Sequence, residues 1–462
     1  MLVRGGTLVT AAGERAADVR LHGELIAEVG AGLEAAAGEE VIEAAGLIVL
    51  PGLVDPHTHF ALDAGTGATA DDFSTGSAAA AAGGVTTYVN FATQHPGQSF
   101  REALAAARAQ AEGATHVDFS LHLNITRLDD GWERELDRVV GGGVSSAKVY
   151  TTYKDSVFYV DDWTIYRLME RSGGAGLLVQ MHAENDDILQ GRRRQLIGQG
   201  RTQLSHHGAS RPAVAESEAV QRGLFLSRVT GSPIYLVHLS SPLSVDLVAE
   251  ARVRGETAFA ETCPHYLVLD ESLYQGADAR RYLMTPPLRS REVQAALWRR
   301  LEAGLIQSVG SDHCGYSLAQ RGEVDDFTRV SPGIPGVEMA LALLHTFGVR
   351  RGRLDLAGLV RLLSTNPARI FGLWPRKGRI DAGADADLVL FDPAARGRLS
   401  AGDLHGAAGF SPYEGLELEG RVRTTICRGR VVYDGVRVTG DATWGRFLER
   451  QPFDRERLAD LR

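Results

Sequence analysis

Apolar positions along this chain fall into two textures. Over residues 1–48 they alternate with polar ones in short stretches, Leu2-Val3, Thr7-Leu8-Val9, 18–29 and Val41-Ile42, broken by Gly- and Ala-rich turns, as half-buried strands do. The same texture returns at 387–391 and 421–433. Between these ends, apolar runs of strand length appear at 47–54, 85–91, 117–123, 146–150, 176–181, 233–237, 257–260 and 305–309. Helix-like segments separate neighbours, for example 100–112, 162–171, 213–229, 243–254 and 292–302, with glycine or proline at many joints. Eight β–α alternations predict an α/β fold, a closed (β/α)8 TIM-like barrel over residues 51–374. The β-rich ends, residues 1–50 and 375–444, are each too small to bury a core and should pack together as one composite β-sandwich domain. Residues 445–462 form a strongly charged tail.

Composition narrows the function classes. The 462 residues are 44% apolar and 23% charged, an ordinary globular balance, with a net charge of −9. No basic block exceeds residues 192–194, which disfavours a nucleic-acid face. The N-terminus lacks the apolar core of a signal peptide, and no run approaches ~18 apolar residues, so no membrane partner and a cytoplasmic location are expected. Cys263, Cys314 and Cys427 are odd in number and lack a C-x-x-C, and read as reduced.

In a barrel the chemistry belongs at the carboxyl ends of the strands. The first ends in D-P-H-T-H with His57 and His59, the fourth in Lys148, the fifth in His182, the sixth in His238 and the eighth in Asp312. Each has a bland reading alone: an interior hydrogen-bonded histidine, a turn-capping aspartate, a snorkelling lysine. Five strand ends converging on one rim point instead to a metal site of imidazoles and a carboxylate. An ammonium cannot ligate a cation, but a lysine whose pKa is depressed by burial can add carbon dioxide and become a carbamate with two ligating oxygens. Lys148 as N6-carboxylysine would then bridge two divalent ions, which lower the pKa of water towards ~7. His95, His206, His207 and His265 read as loop or turn residues. His313 is a candidate support for Asp312, and Cys314 a neighbour of the ions rather than a ligand.

These residues, with D-P-H-T-H-F, D-D-F-S-T-G-S (71–77), H-A-E-N (182–185), E-T-C-P-H-Y-L (261–267), P-P-L-R (286–289), S-D-H-C (311–314), G-I-P-G-V-E (333–338) and S-P-Y-E-G (411–415), resemble the dihydropyrimidinase/hydantoinase family of cyclic amidases in the amidohydrolase superfamily. The resemblance spans nearly the whole chain. It implies one metal on His57, His59 and Asp312, a second on His182 and His238, and the carboxylated Lys148 between them, with zinc the expected ion. It further implies Tyr153 as oxyanion donor and Asp312 as the group that moves the proton, opening a small cyclic amide or ureide to an N-carbamoyl amino acid. A homo-oligomer, tetramer or dimer, is implied as well, with the tail as an arm exchanged between subunits.

Dihydroorotases, similar at H-x-H, carry an arginine where this chain has Ala61, so an uncharged ring substituent is expected. Allantoinase or another ureide amidohydrolase is the alternative substrate reading, and a non-catalytic scaffold the alternative class; six filled ligand positions argue against the latter. Two departures bear on the substrate-binding residues: Pro332 stands where the family has an asparagine that contacts the ring through its backbone, and Thr285 where serine is common. Thr151, Thr152 and the small residues of 61–67 are expected to loosen or polarise the pocket.

Overall fold

The computed structural model describes residues 1–63 and 67–461, the side chains of 459 and 460 excepted. Eight parallel strands run in sequence order around one sheet: β1 Leu53–Thr58, β2 Val85–Thr93, β3 Asp118–Asn124, β4 Ser146–Tyr150, β5 Leu178–His182, β6 Ile234–Leu236, β7 Ala258–Thr262 and β8 Ser308–Val309. The ends of this sheet meet through a parallel bridge between Thr58 and His313. They are pinned there by Asp55 Oδ1, which accepts from His57 N at 3.0 Å and Ser311 N at 3.1 Å. Every residue of β3, β4 and β5 is buried, as expected of strands covered on both faces.

The 47–54 run proves to be two strands. Ile48–Pro51 belongs to a six-stranded sheet and Leu53–Thr58 to the barrel, with Gly52 at the joint. A Cβ on Gly52 would lie 2.1 Å from Thr86 Oγ1, so only glycine passes between the layers there. The hydrophobic run is continuous because both strands are fully buried, which hides the break. Other expected elements are present with shifted ends. Helix Asp162–Ala175 continues past residue 171 because its terminator is Gly176, at φ 71°, while Asp161 caps its start by accepting from Thr164 N.

The chain ends do join. The six-stranded sheet joins Arg430–Tyr433, Glu417–Cys427 and Leu388–Arg398 to Ile48–Pro51, Thr7–Thr10 and Gly13–Ala16 through one antiparallel seam between Leu388–Arg398 and Ile48–Pro51, and a four-stranded sheet from residues 2–43 packs on it. Val3, Leu8, Val19, Ile26, Val49, Leu390 and Ile426 fill the space between. A buried charge cluster rivets this sandwich to the barrel. Lys377 Nζ lies 2.7 Å from Asp118 at the start of β3, 2.7 Å from Asp387 and 3.0 Å from Asp385, and Arg428 Nε lies 2.9 Å from Asp118. Burial opposes the charge on Lys377, yet the surrounding carboxylates hold its pKa well above the ordinary lysine value.

The tail runs along its own barrel rather than away from it. Leu448 N donates to Phe119 O, Arg450 N to Gly143 O and Phe453 N to Gly176 O, and Leu448 and Arg450 are buried. Its first residues are therefore part of this chain's own packing. Among the described residues no helix is long and apolar enough to cross a membrane.

Candidate active site

The strand ends deliver all six expected side chains to one place. His59, Lys148, His182, His238 and Asp312 line a cavity of about 340 Å³ at the barrel mouth, and His57 lies fully buried beneath it. His57 Nε2 is 2.8 Å from Lys148 Nζ and 3.1 Å from Asp312 Oδ1, His59 Nε2 is 3.3 Å from the same oxygen, and His182 Nδ1 is 2.9 Å from His238 Nε2. His238 and Asp312 hold positive φ values of 41° and 48°, and Tyr153 one of 70°. Each such residue stores ~1–3 kcal/mol of strain, and three at one cavity mark it as a site that the surrounding fold over-determines.

Two buried glutamates orient the imidazoles. Glu261 accepts from His57 Nδ1 at 2.6 Å, from His238 N at 3.0 Å and from the Tyr235 hydroxyl at 2.7 Å. Burial pushes its pKa up to about 7. Glu184 faces His182 Nε2 at 2.9 Å and is gripped by Arg211. Burial disfavours its charge, but the Arg211 guanidinium prevails and holds its pKa well below the usual carboxylate range. With Nδ1 of His57 and Nε2 of His182 donating, the opposite nitrogens, His57 Nε2 and His182 Nδ1, are lone pairs aimed into the site. Burial lowers the pKa of both rings, so they stay neutral.

Asp312 completes an acceptor set. Burial opposes its ionisation, but the rings of His57 and His59 hold its pKa well below the ordinary value. His59 Nδ1 is buried with no hydrogen-bond partner among the described residues. Ligand atoms of His57, His238 and Asp312 all lie within 4.8 Å of one another. Neutral imidazoles and an ionised carboxylate, converging with an orphaned ring nitrogen, fit divalent cations. Lys148 is the anomaly. It is 1% exposed, its Nζ sits 4.2 Å from the Phe91 ring centroid and 4.9 Å from that of Tyr150, and burial pushes its pKa down to about 8.

Tyr153 projects over the cavity with its hydroxyl 2.6 Å from Thr285 Oγ1, and burial pushes its pKa up to about 12. Pro332 also lines the cavity, between Ser331 and Gly333.

The profile of the Amidohydrolase family matches residues 48–432. The chain belongs to the amidohydrolase family. Within it, this amidohydrolase is 37% identical over 457 residues to a D-hydantoinase of Geobacillus stearothermophilus, covering 98% of this chain and 97% of the relative. It is equally identical, over the same length, to the D-phenylhydantoinase of Escherichia coli strain K12, covering 98% of each chain. A crystal structure of dihydropyrimidinase from Brevibacillus agri NCHU1002 superposes with a TM-score of 0.95 at 38% identity, over 98% of this chain and 99% of that one. The chain is accordingly a cyclic amidohydrolase, a TIM barrel with a β-sandwich domain.

Several expectations on this amidohydrolase change at side-chain level. Thr151 and Thr152 do not face the cavity. Thr151 Oγ1 donates to Glu184 O at 2.9 Å and Thr152 Oγ1 to Asp186 Oδ1 at 3.0 Å, while Leu62, Ser156, Phe158, Met284 and Tyr316 form the walls. Of the 61–67 stretch, residues 64–66 lie outside those described. His313 turns from Asp312 to pair with Asp71 at 3.0 Å, and its Nδ1 accepts from Gly336 N and Val337 N. His207 is buried in a short helix, Nε2 on Met284 O at 2.8 Å, rather than in a polar loop. Cys314 lines the cavity, its thiol pushed up to about 12 by burial. Glu261 and Glu184, both missed as functional residues, lie inside E-T-C-P-H-Y-L and H-A-E-N, but nothing in those words says where a glutamate points.

Proposed function

We propose that this enzyme opens the ring amide of dihydropyrimidines and 5-substituted hydantoins to N-carbamoyl amino acids. Two divalent cations, zinc by the nitrogen-rich donor set, held by His57, His59 and Asp312 and by His182 and His238 with carboxylated Lys148 between, would supply a water of lowered pKa and polarise the amide carbonyl. The Tyr153 phenol, protonated at neutral pH, donates to the oxygen on which charge develops, and Thr285 holds it over the cavity. Asp312 accepts the proton of the attacking water and returns it to the leaving ring nitrogen. The arrangement of Glu261 and Glu184 keeps the ring lone pairs facing inward throughout.

The observation that carries this reading is Lys148. Among the described residues it makes no ion pair, and a lone buried amine among imidazole lone pairs and aromatic rings makes chemical sense once it is an anion. The cavity walls favour an apolar or weakly polar substituent. Among the described residues Arg329 is the only guanidinium on them, exposed at the rim where solvent screens it, and Ala61 offers no charge.

The test is a panel of dihydrouracil, hydantoin, 5-substituted hydantoins, allantoin and dihydroorotate followed by ring-opening absorbance, with metal analysis. Turnover of the first three groups, none of dihydroorotate and about two ions per subunit are expected. Turnover of allantoin alone would overturn the substrate assignment. We also infer that residues 51–374 act as one catalytic unit beside a domain of 1–50 with 375–444, in the cytoplasm, and that the enzyme self-associates. Trp163, Phe225, Val229 and Leu243 are large apolar residues exposed on the outer helices, which supports association; sedimentation tests it.

A further inference from the structure

Tyr153 occupies a backbone region that a tyrosine enters only when something holds it there. The loop after β4 is laced residue by residue to the loop after β5. Thr151 Oγ1 donates to Glu184 O, Thr152 Oγ1 and Tyr153 N both donate to Asp186 Oδ1, at 3.0 and 2.8 Å, and Lys154 Nζ donates to Asp187 Oδ1 at 2.6 Å. Only one of these contacts is made to Tyr153's own backbone.

Asp186 opens the helix Asp186–Gly198, where an aspartate would ordinarily serve the helix terminus. That task is already met by Asn185, whose side chain accepts from Ile188 N at 3.1 Å. Asp186 is 3% exposed, both donors on Oδ1 come from the Tyr153 loop, and its Oδ2 has no partner among the described residues. It borders a second cavity of about 200 Å³ that shares Tyr153, Thr285 and Pro332 with the catalytic one, so Tyr153 is a partition between two spaces, its ring centroid 5.4 Å from that of His182 while its backbone N–H rests on Asp186.

We infer that Asp186 is a positioning residue: its carboxylate, by accepting from Thr152 Oγ1 and Tyr153 N, holds Tyr153 in the conformation that aims its hydroxyl at Thr285 and the reacting carbonyl. This rests on the oxyanion role proposed for Tyr153. Asp186 borders the second cavity and does not line the catalytic one.

The experiment compares Asp186→Ala, Asp186→Asn, Tyr153→Phe and the double variant Tyr153→Phe/Asp186→Ala on hydantoin, recording kcat, KM, metal content and thermal midpoint. Tyr153→Phe should lower kcat by roughly 10²–10³. Asp186→Ala should lower kcat by about 10–100-fold, the scale of a misplacement near 1 Å, with KM nearly unchanged and the metals retained. Asp186→Asn keeps an acceptor oxygen and should stay within about threefold of the parent. In the Tyr153→Phe background Asp186→Ala should cost no more than about twofold further, because its effect passes through a hydroxyl already gone. A full additional loss in that background, or parental kcat for Asp186→Ala, overturns the inference. Should Asp186→Ala fail to fold, Asp186→Leu, similar in size and lacking both acceptors, is read by the same criteria. If Tyr153→Phe is itself silent, the role of Tyr153 falls and the inference with it; if Tyr153→Phe is impaired and Asp186→Ala is not, only the inference falls.

Discussion

Replacing Lys148 by alanine separates a carboxylated bridge from a structural lysine. Buried and lacking an ion pair among the described residues, Lys148 has its pKa pushed from 10.5 to about 8. At pH 7 that leaves roughly 9% of the side chain as free amine against about 0.03% for an unperturbed lysine, a gain of ~300-fold, equivalent to about 3 kcal/mol. Only the free amine adds carbon dioxide, so a lowered pKa is what the proposed modification of Lys148 requires. Truncation to alanine deletes a donor shared by both proposed cations, so Lys148→Ala should lose most of its bound metal, and kcat should fall by at least ~10³-fold, the scale of several kcal/mol supplied by metal chemistry. The assay pairs elemental analysis with ring-opening kinetics and intact mass, which should show one carbon dioxide on the parent and none on the variant. Added propionate, small enough for the vacated space, should restore part of the activity. Two ions per subunit and parental turnover in Lys148→Ala would refute the reasoning, as would an unmodified parent that is metal-loaded and fully active.

Other outcomes follow from single contacts. Glu261→Gln keeps the volume but removes the charge that orients His57 Nδ1, so metal affinity measured by competition with a chelator should drop by about 10–100-fold while the metal-free fold is retained. Lys377→Met leaves Asp118, Asp385 and Asp387 facing one another in the buried joint, and should destabilise by ~3–5 kcal/mol in denaturant titration. That deficit should shrink as pH falls, because Asp387, whose pKa burial already raises, takes up a proton and relieves the repulsion. The sign reverses at the alkaline end of the parent: Lys377's contribution, complete below the unfolded lysine pKa, is lost as pH rises through its raised folded value. Pro332→Asn returns a backbone N–H to the cavity wall, and should lower KM for dihydrouracil by about 2–10-fold, the worth of ~0.5–1.5 kcal/mol, in steady-state kinetics.

What could be read in advance, and what could not, divides along a physical line. The barrel and the joining of the two β-rich ends were legible because burial on both faces writes an unbroken apolar run for each parallel strand, and half-burial writes alternation. The six side chains that meet at the barrel mouth were legible because barrel geometry assigns meaning to whatever follows such a run, so His57, His59, Lys148, His182, His238 and Asp312 could be collected with no knowledge of distance. Orientation was not legible. Thr151 and Thr152, in loop sequence next to Tyr153, turn into the neighbouring loop, and His313, adjacent to Asp312, turns to Asp71. Glu261 reaches His57 across 204 residues of chain, a pairing that exists only once the barrel has closed.

This division explains where the chain's chemistry is secured. The first layer of groups sits on strand ends, which the core fixes; the direction of two of its rings is fixed by carboxylates, that of His57 by Glu261 from β7 and that of His182 by Glu184, two residues on in the loop after its own strand. Each glutamate holds more than one partner, since Glu261 also takes the backbone N–H of strained His238 and the Tyr235 hydroxyl, and Glu184 also takes Arg211. Losing either glutamate therefore frees an imidazole tautomer together with the backbone or guanidinium beside it, an effect larger than one hydrogen bond. Two of the strained residues are held in the same way, His238 N–H on Glu261 and Tyr153 N–H on Asp186, so their conformations depend on carboxylates of neighbouring elements as well as on their own packing.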